Sequence, residues 1–190
     1  PGNHDYYGTN QASRTGAYYQ NFSIAASGEC GGVPSGTEAF YAWNRGDIHF
    51  ISLDSYGTES PNATRLYDTL GPQVTWLKQD LAANTKKWTI VYWHHPPYTM
   101  GSHNSDTETE LINMRQNFIR ILERMGVDLV LCGHSHDYER SYLLNGHYGN
   151  EASFNVNTHA LSNSSGKYDG TTNSCTYKTV NGQNHGSVYV

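Results

Sequence analysis

Histidine sets this sequence apart chemically: there are 10 in 190 residues, and several fall at spacings that could gather around a metal ion. His134 and His136 are separated by one residue, so in an extended chain their imidazoles leave on the same side, which suits one metal or two adjacent ones. Alone, such a pair is more often a polar strand-to-loop turn. Gly133 directly before it changes the odds, because a glycine after a buried strand lets the backbone turn sharply and hold the next side chain at the strand's end. His94, with His95 beside it, ends an independent apolar run, and neutral imidazole is a common ligand for zinc, iron and other divalent ions. The plainer alternative there is a strand-end histidine bonded to its own loop. In Gly2-Asn3-His4-Asp5, Asn3 offers an amide oxygen as a ligand and His4 a candidate acid or base.

Such side chains need elements that bring them to one place. Trp88 to Trp93 (WTIVYW) and Val127 to Cys132 (VDLVLC) read as strands buried on both faces, and each is followed by histidine. Asp47 to Ser55 reads as an earlier strand. Leu70-Gly71-Pro72 opens a helix in which Val74, Leu77 and Leu81 recur at helical spacing as far as Asn84. Ser105 and Glu108 have capping-box spacing ahead of a second apolar stripe, Leu111, Met114, Phe118, Ile121, Leu122 and Met125, which closes before Gly126. Residues 1 to 46 carry little periodicity and read as loop. Residues 145 to 186 read as a long polar loop or insertion with at most short strands, and Gly186 to Val190 begins a further strand. Strands alternating with helices place the chain in the α/β class, where ligands gather beyond the carboxyl ends of the strands. Both histidine clusters lie there.

A mean hydropathy of −0.67, with no apolar run long enough to span a bilayer, excludes a transmembrane helix. With 12 Lys and Arg against 17 Asp and Glu, a net charge of −5 and no basic block, the composition argues against binding nucleic acid. Of the cysteines, Cys132 sits in an apolar strand and reads as a small buried hydrophobe. Cys30 and Cys175 lie in polar stretches and could pair in an oxidising compartment. The Lys-poor, Asn/Ser/Thr-rich composition, with Asn21, Asn62 and Asn163 in glycosylation sequons, leads us to expect a secreted or extracytoplasmic protein. His49, His147, His159 and His185 read as surface or satisfied histidines.

Taken in order, Gly2-Asn3-His4-Asp5, Val91-Tyr92-Trp93-His94 and Gly133-His134-Ser135-His136 resemble the last three blocks of the calcineurin-like metallophosphoesterases. Asp137-Tyr138-Glu139-Arg140 and the stretch from Tyr98 to His103 resemble the purple acid phosphatase branch, particularly its bacterial members. The resemblance runs from Gly2 to the terminal strand, apart from loops 56 to 69 and 150 to 180. It implies a two-sheet β-sandwich flanked by helices, with residues 1–190 forming part of one catalytic domain truncated at both ends. It implies two metal ions, iron with zinc, manganese or a second iron. Asn3, His94 and His134 match ligands of the more labile divalent ion, and His136 matches a ligand of the other. His4 and His103 match outer histidines that hold the phosphoryl group and assist the leaving oxygen, and His95 is a further group that could face substrate. The implied reaction is hydrolysis of small-molecule phosphate monoesters by a metal-held hydroxide attacking phosphorus in line.

The family's first metal carboxylate, bridging aspartate and iron-bound tyrosine would precede Gly2. Two cations about 4 Å apart repel strongly, and three imidazoles with an amide do not replace a bridging carboxylate. The chain by itself is therefore expected to hold an incomplete dimetal site. Asp5, Asp54 and Asp106 are not obvious substitutes: Asp54 reads as a strand-end turn residue and Asp106 as a helix N-terminal charge. The alternatives are a phosphodiesterase or nucleotidase of the same superfamily, because cleft loops set that choice, and a noncatalytic metal- or phosphate-binding extracellular module.

Overall fold

Alternation at period two decides which way each strand faces, and one ladder row decides where the core lies. In the computed structural model, which describes residues 1–58, 64–162, 164, 167, 170, 171, 177 and 186–190, five strands form one sheet in the order β1-β2-β3-β4-β5. They are β1 (Tyr41–Arg45), β2 (Ile48–Ser52), β3 (Trp88–Tyr92), β4 (Leu129–Leu131) and β5 (Val188–Tyr189). β1 runs antiparallel to β2, and the other neighbours are parallel. Ala42, Ile51, Val91, Val130 and Tyr189 pair in register across the whole sheet, and all five belong to the hydrophobic core.

The helices that cover this row are α2 (Pro72–Ala83) and a rod from Thr109 to Arg124. A short helix, α1 (Ala17–Asn21), precedes the sheet. In the rod, a π-type turn at Met114–Phe118 separates α3 (Thr109–Asn113) from α4 (Ile119–Arg124). The strand order advances in one direction, so right-handed crossovers put both helices on the same face. Val74 and Leu77 from α2, with Met114, Phe118, Ile119 and Leu122 from the rod, are all fully buried against it. Phe118 meets Trp93 edge-on at 5.3 Å between ring centroids. Removing the Phe118 ring would cost about 3–5 kcal/mol.

The next ladder row, Trp43, Phe50, Ile90 and Leu129, points the other way, and these side chains are half-buried. Trp88 is 43% exposed and Leu131 38%. The strands read as buried on both faces are thus buried on one among the described residues. The α/β expectation holds, and the described residues supply one mixed sheet with its helices, with no second sheet among them.

Other boundaries differ for local reasons. β1 lay hidden within the presumed loop because Ala42 is its only core-facing apolar residue; a two-residue Gly46-Asp47 turn, with Gly46 at φ +57°, joins it to β2. Ser105 and Glu108 do not form a capping box: the Ser105 hydroxyl bonds the Thr99 carbonyl, and the helix starts only at Thr109. Among its described residues, the polar 145–186 segment carries a 3-10 turn at Glu151–Ser153 and a short helix, α5 (Val156–His159). Cys175, His185, Asn62 and Asn163 lie outside the described residues, and with them the Cys30–Cys175 pairing. Cys132 packs against the core, and burial pushes its thiol well up from its ordinary value, away from nucleophile chemistry.

Candidate metal centre

Parallel strands in register deliver their following residues to one edge. Ser52 pairs with Tyr92 and Tyr92 with Leu131, so the segments ending in Ser55, His95 and His134 emerge side by side beyond the carboxyl ends of β2, β3 and β4. His94 Nε2 and His134 Nδ1 face each other at 3.1 Å. The His95 ring lies 4.5 Å from that of His134, and the His103 ring stacks on His134 at 3.8 Å and 22°.

Backbone geometry has a cost here. His134 holds a left-handed φ of +68°, unfavourable for a side chain with a Cβ. Gly133 lies close to the His94 ring: a Cβ there would meet Nδ1 at 3.3 Å. Gly2 is tighter still, since its Cβ would fall 2.7 Å from His94 Nδ1. The Asn3 segment therefore packs directly on His94, and only glycine permits that approach.

Ser55 organises the floor of the cluster. Its hydroxyl, fully buried, accepts from the His94 and His95 backbone N–H groups at 3.2 Å each and sits 2.8 Å from His95 Nδ1. Two lone pairs are used by the amides, so the one hydroxyl proton goes to Nδ1; by this count His95 carries its own proton on Nε2. The His95 ring is wholly buried and packs against that of His134.

His103 rides on a loop closed by its own hydrogen bonds. Ser105 N–H donates to the Thr99 carbonyl at 3.0 Å, and Thr99 N–H to the Ser105 hydroxyl at 3.0 Å. Arg115, 2% exposed, clamps this loop from the helix by donating to the Pro97 and Ser105 carbonyls and to Asp106 Oδ1. Asp106 is thus an anchor for Arg115 rather than a helix N-terminal charge. Asp54 is likewise structural: buried, it accepts from the Tyr6 hydroxyl, Gln11 and the Tyr56 N–H. Glu108 accepts from His103 Nδ1 at 2.9 Å and from the Asn104 N–H at 2.6 Å. Burial pushes its carboxyl up, but the Asn104 amide and His103 together outweigh this and hold it below its ordinary value.

His136 and His4 stand apart from this packing. The His136 ring is exposed, while its backbone N–H donates to the Ser102 hydroxyl at 2.9 Å and so ties its turn to the His103 loop. His4 is exposed on the 3-10 turn Asn3–Tyr6 and stacks on Tyr7 at 5.9 Å. The structure therefore brings His94, His95, His103 and His134 together, with the Asn3 segment against them. Ser55, Glu108, Ser102 and Arg115 were not foreseen as parts of the site.

The donor set fits a cation. Asn3 Oδ1 is buried without a hydrogen-bond partner, a costly state for a carbonyl oxygen unless something positive meets it. Two imidazole nitrogens 3.1 Å apart present the same opportunity. His103, Glu108 and His134 also place ligand-type atoms within 4.8 Å of one another.

The family model for calcineurin-like phosphoesterases matches residues 1–138. The chain belongs to this family. Among curated proteins, this phosphoesterase chain is 33% identical over 111 residues to purple acid phosphatase 15 of Arabidopsis thaliana, covering 56% of this chain and 19% of that protein. It is 32% identical over 128 residues to purple acid phosphatase 23 of the same plant, covering 65% and 24%. With an acid phosphatase of Aspergillus ficuum the identity is 29% over 196 residues, covering 83% and 31%. The chain thus spans 19% to 31% of the length of these relatives. Among solved structures, the yellow lupin purple acid phosphatase aligns with a TM-score of 0.43 at 14% identity, covering 79% of this chain and 22% of that one.

Proposed function

We propose that this phosphoesterase chain carries one side of a dimetal centre and takes part in the hydrolysis of small-molecule phosphate monoesters, in the manner of a purple acid phosphatase. The observation that carries this is the meeting of His94 Nε2 and His134 Nδ1 at 3.1 Å beside a segment whose Asn3 Oδ1 is buried and unpartnered. Asn3, His94 and His134 would hold one divalent ion, and His136 would serve the second, iron pairing with zinc, manganese or iron. Bound ions supply Lewis acidity toward phosphoryl oxygens and acidify water. His103 and His4 bind the phosphoryl oxygens from outside the metal shell, and His103 Nε2 is the nitrogen that hands a proton to the leaving oxygen. Ser55 and His95 act through His94 and His134, by holding them. We place the protein outside the cytoplasm, on its Lys-poor composition and an exposed Asn21 sequon.

The test is metal content by mass spectrometry together with p-nitrophenyl phosphate hydrolysis, on this chain and on any longer polypeptide that contains it. We expect bound metal that falls when Asn3 or His94 is replaced by Ala, and hydrolysis wherever bridging carboxylates are also present. Metal without hydrolysis in every such polypeptide would replace this function with that of a noncatalytic metal-binding domain. Faster turnover of bis(p-nitrophenyl) phosphate would make it a diesterase.

A further inference from the structure

His103 is the one clustered histidine whose place depends on a loop rather than a strand end, so something must fix its ring. Glu108 does so from the N-terminal edge of the rod. Its Oε1 is held by the Asn104 N–H at 2.6 Å, which leaves Oε2 aimed at His103 Nδ1 at 2.9 Å. The opposite restraint is the stacking of the ring on His134. Each oxygen of Glu108 thus accepts a hydrogen bond from the His103 loop, which gives the carboxylate a hold on that loop besides its place among the cation-type donors.

We propose that Glu108 is a positioning residue: by accepting the Nδ1–H of His103 it fixes the tautomer and plane of that ring, so that Nε2 is the nitrogen offered to a phosphoryl or leaving oxygen. This rests on the phosphoryl-binding role of His103 proposed above. A carboxylate on the far nitrogen holds the Nδ1–H and, with the stacking on His134, the plane of the ring, so Nε2 keeps one fixed direction. A half-exposed ring on a loop would otherwise sample both tautomers and several orientations, and a misplaced hydrogen-bonding group loses most of its contribution. The side-chain relative exposures of 32% and 35% leave the pair open to substrate yet off the bulk surface.

Three variants separate positioning from support of the helix. Glu108→Gln keeps the reach but has one acceptor oxygen, which the Asn104 N–H claims, so its NH2 turns to His103; Glu108→Asp puts a good N-cap residue at the helix start but withdraws the carboxylate by one carbon, and Glu108→Ala removes the acceptor altogether. The tautomer of His103 is read by nitrogen NMR on histidine-labelled chain at about pH 8, where imidazoles are neutral, with the signal assigned through His103→Ala. The affinity for inorganic phosphate is measured by calorimetry with Zn²⁺ present. We expect His103 protonated at Nδ1 in the parent and at Nε2 in Glu108→Gln, whose NH2 donates to Nδ1. In Glu108→Asp and Glu108→Ala the preference for Nδ1 should be lost, and the ring, no longer held in one plane, should bind phosphate about tenfold more weakly, with the helix retained in the Asp variant. An unshifted tautomer in the Asp and Ala variants overturns the positioning role. If His103→Ala itself leaves phosphate affinity unchanged, the phosphoryl-binding role of His103 is what fails.

Discussion

Ser55→Ala tests how far the site depends on one hydroxyl. The side chain is fully buried, and its oxygen serves the backbone N–H groups of both His94 and His95 as well as His95 Nδ1. Alanine fills nearly the same volume, so the change removes hydrogen bonds without a large cavity. The two amide bonds, at 3.2 Å, are at the long end of the normal range. Each therefore falls near the lower end of the cost of an unmet buried group, about 1 kcal/mol, and loss of the 2.8 Å contact to the imidazole adds about 1 more. The sum is about 3 kcal/mol. With a urea slope of about 2 kcal/mol per molar, the unfolding midpoint should fall by about 1.5 M. Zn²⁺ affinity should drop about tenfold in the folded variant, because the backbone that aims His94 is loosened. Ser153→Ala, on an exposed turn, is the control and should stay within about 0.5 kcal/mol of the parent. A Ser55→Ala chain with the parent's midpoint and the parent's Zn²⁺ affinity would refute the account of the cluster's floor.

Gly2→Ala should weaken Zn²⁺ binding about tenfold by calorimetry, because its Cβ would fall 2.7 Å from His94 Nδ1; equal affinity would mean that the Asn3 segment does not share the site. Burial chiefly, with His159 and Arg115 adding, lowers the pKa of His147 from 6.5, so the folded state binds this proton more weakly than the unfolded one. Its contribution is complete above pH 6.5 and is lost as pH falls through the lowered value, so His147→Phe should flatten the acid limb of thermal stability, and an unchanged limb counts against it. Glu123 behaves oppositely: burial raises its carboxyl above 4.5 despite donation from Tyr148, Gly146 and Tyr189. Its contribution is complete below 4.5 and lost as pH rises through the raised value, so Glu123→Gln should raise the melting temperature at about pH 7 and leave it unchanged near pH 4. A lower melting temperature at neutral pH would contradict this.

How much of this was legible in sequence depends on whether a signal is local. Strands β2, β3 and β4 announce themselves by apolar runs, and the histidines that follow them fall where an α/β sheet gathers ligands. The π-type turn does not, since nothing in Met114–Phe118 marks a change of helical register. Instead of Ile121 and Met125, which are only half-buried, Ile119 and Arg115 turn inward. Arg115 also shows how a charge becomes a clamp once loop carbonyls and Asp106 surround it.

Ser55 and Glu108 reveal the harder limit. Ser55 acquires its role only through the pairing of Ser52 with Tyr92, which places the third residue beyond β2 beside the third residue beyond β3, His95. Nothing in either strand alone states that register. Glu108 follows a loop histidine by five residues, and its spacing to Ser105 fits a capping box equally well. The choice was made by Ser105, whose hydroxyl closes the Thr99 turn and so releases Glu108 to turn back toward His103. A local motif was outcompeted by a loop closure that also presents a candidate catalytic side chain. Residues that touch metal or phosphate are constrained by their own chemistry and stand out in a sequence, whereas residues that aim them are chosen by geometry and become visible only when the chain is folded.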